Sequence, residues 1–331
     1  MHMADALVSP PVAIASGVVA AALLAVASRQ VRKDTRPSLI PLMGVLGAFV
    51  FAAQMINFSI PGTGSSGHII GGVLVAALVG PWAAFLTICS VLIIQCLVFA
   101  DGGMLALGCN MINMAAVSTL LAYPFIYKPI ARKSTKPWRL MLASVAACMV
   151  ALEVGAFLVT VETEASGITA LPMSTFLLFM LPIHLVIGLG EGLATGAVLS
   201  FVAASRPDLL INDKDYVGNL KSGKQAKKRL WPVLAAFCVV AIILGISYTW
   251  IASGDPDGLE WSIARVAGDA EMGSITPPTA IMPEYQNSFS GIVGATMVII
   301  LLWALTSLIV RHNDRRHRPA TQKIVVKNDK H

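Results

Sequence analysis

The chain has 331 residues, of which 56% are hydrophobic and 13% charged, against roughly 25% charged in an ordinary soluble domain. Mean hydropathy is +0.74, and the apolar residues form several long runs separated by charged loops, which excludes a single soluble core and points to a bilayer. The net charge of +6 is split into short clusters between those runs, so it reflects membrane topology rather than a nucleic-acid-binding patch.

Apolar runs occupy 8–28, 38–58, 69–80, 81–99, 110–127, 139–161, 171–204, 231–251 and 289–310. Most approach the roughly 20 residues a bilayer requires, so nine spans are expected in an all-α polytopic membrane protein. The third is short and reads as a broken or partly re-entrant helix, tolerable where protein covers its end. No basic segment precedes the first run, so a cleavable signal peptide is not expected. Met1 should be retained, because bulky His2 hinders its removal.

Orientation follows from Lys and Arg. Basic clusters lie at 29–36, 128–139, 221–229 and 311–318, whereas acidic stretches lie at 162–164 and 255–271. Placing the basic clusters in the cytoplasm requires the third and fourth runs to be separate crossings, with the N-terminus outside and the C-terminus inside. The polar stretch 206–230 reads as a cytoplasmic linker between a seven-span part, 1–205, and a two-span part, 231–331, with a long outer loop. Five cysteines lie in or beside apolar runs without CxxC spacing, as expected of reduced membrane-core residues.

With that topology His2 and His68 share the outer side. The Met1 amine, the His2 backbone nitrogen and His2 Nδ1 can close a five-membered and a six-membered chelate ring around one ion, and His68 can supply a fourth nitrogen. Tetragonal nitrogen ligation suits Ni(II) or Cu(II), with Co(II) next. The loop before His68, Pro61-Gly62-Thr63-Gly64-Ser65-Ser66-Gly67, has the glycines that let backbone approach closely. Gln54, Asn57, Asn110 and Asn113 are amides placed to orient the imidazoles. The alternative is a chance second-position histidine beside a flexible loop.

His184 and Glu191, seven residues apart, share one helical face in the seventh run, and Glu153 lies in the sixth. Ionisable groups at this depth are candidates for metal passage or conformational coupling; a structural pair locking helices beside glycines is the equal alternative.

Four segments together, Met1-His2-Met3-Ala4-Asp5, GTGSSGHIIGG (62–72), FADGGMLALGCNMINM (99–114) and HLVIGLGEGLATG (184–196), resemble the CbiM/NikM family. Its members are the substrate-binding, or S, components of energy-coupling factor (ECF) importers for cobalt and nickel. The resemblance covers nearly all of 1–205 and implies a seven-helix bundle with an outer metal site formed by Met1, His2 and His68. After the linker, Asp255-Pro256-Asp257-Gly258-Leu259-Glu260-Trp261 resembles the PDGLE signature of the small NikN-type accessory subunit, two helices with an outer loop, here fused. The same residues also read as a capped turn, since Pro-Asp-Gly favours a turn. Departures are Met3 in place of the commoner isoleucine, and Cys109 where relatives often carry alanine.

No G-x-x-x-x-G-K-[ST] phosphate loop occurs, so this chain is not expected to be an enzyme. The resemblance implies separate ATPase subunits and a transmembrane coupling (T) subunit, met through small residues such as Gly17, Ala21, Ala22 and Ala25, in a prokaryotic plasma membrane. Ni2+ or Co2+ would be the transported substrate. A membrane metalloenzyme is disfavoured by the absence of H-E-x-x-H. A metal sensor or assembly scaffold without transport is the competing role.

Overall fold

The computed structural model describes residues 1–34, 36, 38–132, 134–169, 171–210, 223–267, 281–282 and 289–316. In chain order the elements are α1 (Pro10–Arg32), α2 (Leu39–Gln54), a hairpin of β1 (Phe58–Ile60) and β2 (Ser65–Gly67), α3 (Gly72–Val79), α4 (Pro81–Ile94) and α5 (Leu107–Ala131). They continue with α6 (Pro137–Ser166), α7 (Met173–Ser205), α8 (Gly223–Ile251), α9 (Gly258–Ala267) and α10 (Phe289–Arg316). Prolines open α1, α4 and α6, where a missing backbone N–H costs nothing. The middle of α5, Met111–Tyr127, is π-helical and contains Pro124.

Among the described residues, seven helices are long and apolar enough to cross a membrane: α1, α4 with its π-helical extension to Phe99, α5, α6, α7, α8 and α10. The remaining two apolar runs give α2, with 16 residues, and α3, with 8. At 1.5 Å per residue α3 covers only about 12 Å. The third run nevertheless crosses the bundle. It begins beside Met1, whose nitrogen lies 3.2 Å from His68 Nε2. At its far end the Val79 carbonyl accepts from Arg36 Nη2 at 2.7 Å.

Gly80, at φ 94°, then reverses the chain into α4, which returns to Gln95 opposite His2. Arg36 therefore marks one end of the bundle, and Met1 the other. The glycine-rich loop is an ordered hairpin, with Phe58 opposite Gly67 and Ile60 opposite Ser65. Gly62 and Gly64 take φ of 81° and 70° at its tip, a backbone region glycine enters without strain.

Burial sorts the layers. All residues of α3 are buried, as is 83% of the apolar window of α4, whereas that figure is 22% for α1 and 28% for both α8 and α10. The outer helices expose large apolar side chains such as Ile14, Phe125, Trp250 and Leu308, a surface that suits lipid and not water. α6 and α7 meet almost backbone to backbone. A Cβ on Gly192 would lie 2.4 Å from Val145 Cα, and one on Gly188 would lie 2.8 Å from Met149 Cα. Close approach through small residues is how helices associate without a hydrophobic drive.

α8 begins at Gly223, inside the expected linker 206–230, and runs through Pro232 to Ile251. Residues 211–222 lie outside the described residues.

The glycine contact gives a first prediction. Gly192→Ala places a methyl against α6 backbone and is expected to cost about 1–3 kcal/mol by overpacking, read as a lower melting temperature in detergent. An unchanged melting temperature would refute so close an approach.

Candidate metal centre

The first residues are pinned to the start of α5. Met3 N donates to Asn110 Oδ1 at 2.8 Å, and the Met3 carbonyl accepts from Asn110 Nδ2 at 3.1 Å and from Gly103 N at 2.8 Å. Asp5 Oδ1 accepts from Leu105 N and Ala106 N, satisfying donors just ahead of a helix start. The Met1 side chain packs on Gly155, where a Cβ would lie 2.7 Å from Met1 Cε. Together these contacts hold the terminal ammonium at one place inside the protein.

Three expected ligand residues meet there. Met1 N lies 3.2 Å from His68 Nε2, and the His2 and His68 rings stack with centroids 5.0 Å apart. His68 Nδ1 faces its neighbour's carbonyl, Ile69 O, at 3.3 Å. A carbonyl only accepts, so the proton sits on Nδ1 and the Nε2 lone pair faces the amine. His2 Nε2 faces Gln95 Oε1 at 3.3 Å and Nδ1 faces Asp101 Oδ1 at 3.0 Å. Both partners are acceptors, so a neutral ring satisfies one of them, and a proton on Nε2 leaves the Nδ1 lone pair free.

Electrostatics favour neutral imidazoles. Burial lowers the pKa of His68 to about 3, helped by the Met1 ammonium and His2 and opposed by Asp257 and Asp101. Burial also holds His2 below its ordinary value, although Asp101 pulls the other way. Neutral imidazole is the form that binds metal. Among the described residues no three His, Cys, Asp or Glu side chains gather as a conventional metal cage. The candidate donors here are instead half main chain: an amine, a backbone nitrogen and two imidazoles.

The four amides expected to orient the imidazoles act elsewhere. Gln54 Nε2 donates to Ile70 O at 2.8 Å, Asn110 holds Met3, and Asn113 Nδ2 donates to Glu162 Oε2 at 2.6 Å. Asn57 serves through its carbonyl, which accepts from Ser253 N. Gln95 and Asp101 face the His2 ring instead. Gln95 was visible as an isolated amide deep in an apolar run, and Asp101 as the only charge in the segment 99–114.

His184 and Glu191 do not pair. Glu191 accepts from Ile70 N and Gly71 N, both at 2.9 Å, and so fixes the backbone just after His68. His184 Nδ1 donates to Met180 O at 2.8 Å, and its ring lies under Gly258, where a Cβ would come within 3.0 Å of Cε1. Glu153 sits half-buried on α6 and Cys109 bonds Ser16 Oγ; neither reaches the nitrogens.

Sequence reasoning also missed Asp257. Its Oδ2 accepts from the Met1 ammonium at 2.5 Å and lies 3.9 Å from His68 Nε2. Burial opposes its ionisation, but the Met1 ammonium outweighs that and holds the carboxyl well below the usual carboxylate range. Its Oδ1 accepts from Leu259 N and Glu260 N at 2.9 Å, while Glu260 Oε2 accepts from Asp257 N, a reciprocal cap that starts α9. The capped turn and the site contact are thus one residue using two oxygens.

Residues 2–209 match the family model described as the cobalt uptake substrate-specific transmembrane region (CbiM), and residues 231–284 match the PDGLE domain. A putative fused nickel transport protein NikMN of Archaeoglobus fulgidus is 30% identical across 92% of this chain and 98% of its own length. The fused nickel transport protein NikMN of Rhodobacter capsulatus is 30% identical over 85% of this chain and 83% of its own. The cobalt transport protein CbiM of Sorangium cellulosum is 28% identical over 63% of this chain and 94% of its own. A solved transition metal transporter superposes with a TM-score of 0.56 at 27% identity, covering 67% of this chain and all of that one. The chain is therefore a member of the CbiM family of substrate-specific transmembrane proteins, continued by a PDGLE domain.

Proposed function

We propose that this protein is the substrate-binding subunit of an ECF-type importer for Ni2+ or Co2+, and that it captures the ion at its own N-terminus. The ligands are the Met1 amine, the His2 backbone nitrogen, His2 Nδ1 and His68 Nε2. What supports this reading most is the His68 Nε2 lone pair facing the Met1 nitrogen at 3.2 Å. Adjacent corners of a square plane with metal–nitrogen bonds of about 2.0 Å stand about 2.8 Å apart, so a small inward shift suffices.

On this reading the Met1 ammonium and the His2 backbone N–H each release a proton to solvent as the ion binds, and His2 turns Nδ1 from Asp101 towards the ion. Its Nε2–H keeps Gln95 as acceptor, the usual outer partner of a metal-bound imidazole. The site faces outward and the basic end faces the cytoplasm. Energy comes from ATPase chains acting through a transmembrane coupling subunit, which docks on the small-residue face of α1 at Gly17, Ala21, Ala22 and Ala25. Residues 1–205 form the capturing part, and 231–331 the accessory part. The names of the nickel and cobalt relatives agree with this assignment.

Adding one residue before Met1 moves the amine and spoils both chelate rings, so uptake of nickel or cobalt by cells expressing the partner ATPases is expected to vanish. Uptake at the wild-type rate would sink the proposed ligand set. Binding without any uptake, whichever partners are present, would favour a sensor or scaffold. The metal content of protein purified from medium holding both ions decides between nickel and cobalt.

Glu191 gives a further prediction at a distance from the ligands. Glu191→Ala strands two buried N–H groups beside His68, at roughly 1–3 kcal/mol for each, and is expected to weaken ion binding at least tenfold by loosening the loop. Calorimetry showing wild-type affinity would remove Glu191 from this supporting role.

A further inference from the structure

The carboxylate that touches both Met1 and His68 comes from the part of the chain that supplies no proposed ligand. Asp257 Oδ2 accepts from the Met1 ammonium at 2.5 Å and lies 3.9 Å from His68 Nε2. We propose that Asp257 is the counter-ion of the metal site in both its empty and its loaded state, so that the PDGLE loop completes a centre whose ligands lie in the other part of the chain. This rests on the metal reading above and adds to it a residue that acts through charge.

The charge that Asp257 faces is the same in the two states. With no ion it is the ammonium. With a divalent ion held by a deprotonated backbone nitrogen and neutral donors, the net charge is again a single positive one, and the ion's own charge dominates the local field. A buried charge left without its partner is strongly unfavourable. A fixed carboxylate at this point keeps the site paired while one cation replaces another.

The rest of the loop holds that carboxylate in place. Ser66 N donates to Pro256 O at 2.8 Å, and Trp261 Nε1 donates to Thr63 O at 3.0 Å, so the loop is tied to the second strand and the turn of the hairpin that leads to His68. Gly258 permits the depth of approach, since a Cβ there would press on Ile187 Cδ1 at 2.9 Å and on His184 Cε1 at 3.0 Å. Oδ1 is committed to the α9 cap, which leaves Oδ2 aimed at the site.

Because the two oxygens have separate duties, two substitutions separate charge from capping. Asp257→Asn keeps a good cap and loses the charge; Asp257→Glu keeps the charge and caps poorly. For the counter-ion role, the affinity of the purified full chain for Ni2+ or Co2+ falls at least about tenfold in the Asn variant and is partly restored in the Glu variant. In the metal-free protein, an amine-specific reagent labels Met1 several-fold faster in the Asn variant than in wild type, and less so in the Glu variant.

The opposite order, with the Asn variant like wild type and the Glu variant impaired, assigns Asp257 to capping alone and overturns the proposal. So does tighter binding by the Asn variant, which would make the carboxylate a competitor of the ion. A wild-type chain that binds neither ion defeats the metal reading itself and the counter-ion with it. Wild-type binding matched by both variants defeats the counter-ion alone.

Discussion

The two-sided hydrogen bonding of Met3 by Asn110, joined by Gly103, is the constraint on which the rest of the site depends. Chain termini are ordinarily among the least ordered parts of a protein. Here both backbone polar groups of one residue, Met3, are satisfied by a single amide side chain, so residues 1 and 2 have almost no freedom left. His2, His68 and Asp257 meet around the terminal nitrogen only because it has one address. Asp5 reinforces it by taking the N–H groups of Leu105 and Ala106, and the start of α5 and the start of the chain hold each other.

The same economy appears at greater depth. Buried amides and carboxylates in this bundle bind the backbone of irregular segments: Gln54 and Glu191 hold residues 70 and 71, where the chain has not yet become helix. Non-helical backbone at membrane depth has no water to satisfy it, so the surrounding helices must. That requirement explains why the third run can end in a helix of only 8 residues. The residues just before it are not helical, and the backbone of Ile70 and Gly71 is held by side chains from α2 and α7.

Composition and charge made the helical architecture and the meeting of His2 with His68 legible in advance, because each follows from residue type along the chain. Which amide serves which atom was not legible. Asn110 and Gln54 were assigned to imidazoles and instead bind main chain, since an amide side chain is as good a partner for a peptide as for a ring. Glu191 and His184 share a helical face, yet each is claimed by a different neighbour. Asp257 was hidden for another reason: it is separated from Met1 by the whole bundle in sequence, and its local role as a cap already accounted for its type. The Asp101 contact was implicit in a motif whose residues had no individual roles until His2 was placed.

The continuity of the chain through α8 has a consequence for assembly. The Sorangium relative aligns over 94% of its own length while covering 63% of this chain, so it has little length left for a segment like 231–331. Here Asp257 and Met1 cannot diffuse apart, and their meeting is intramolecular. Tethering of this kind sets an effective concentration of about millimolar, far above that of one membrane protein seeking another. The contact between the loop and the terminus is then insensitive to expression level, occurs once per molecule, and survives dilution of the protein into a large membrane area.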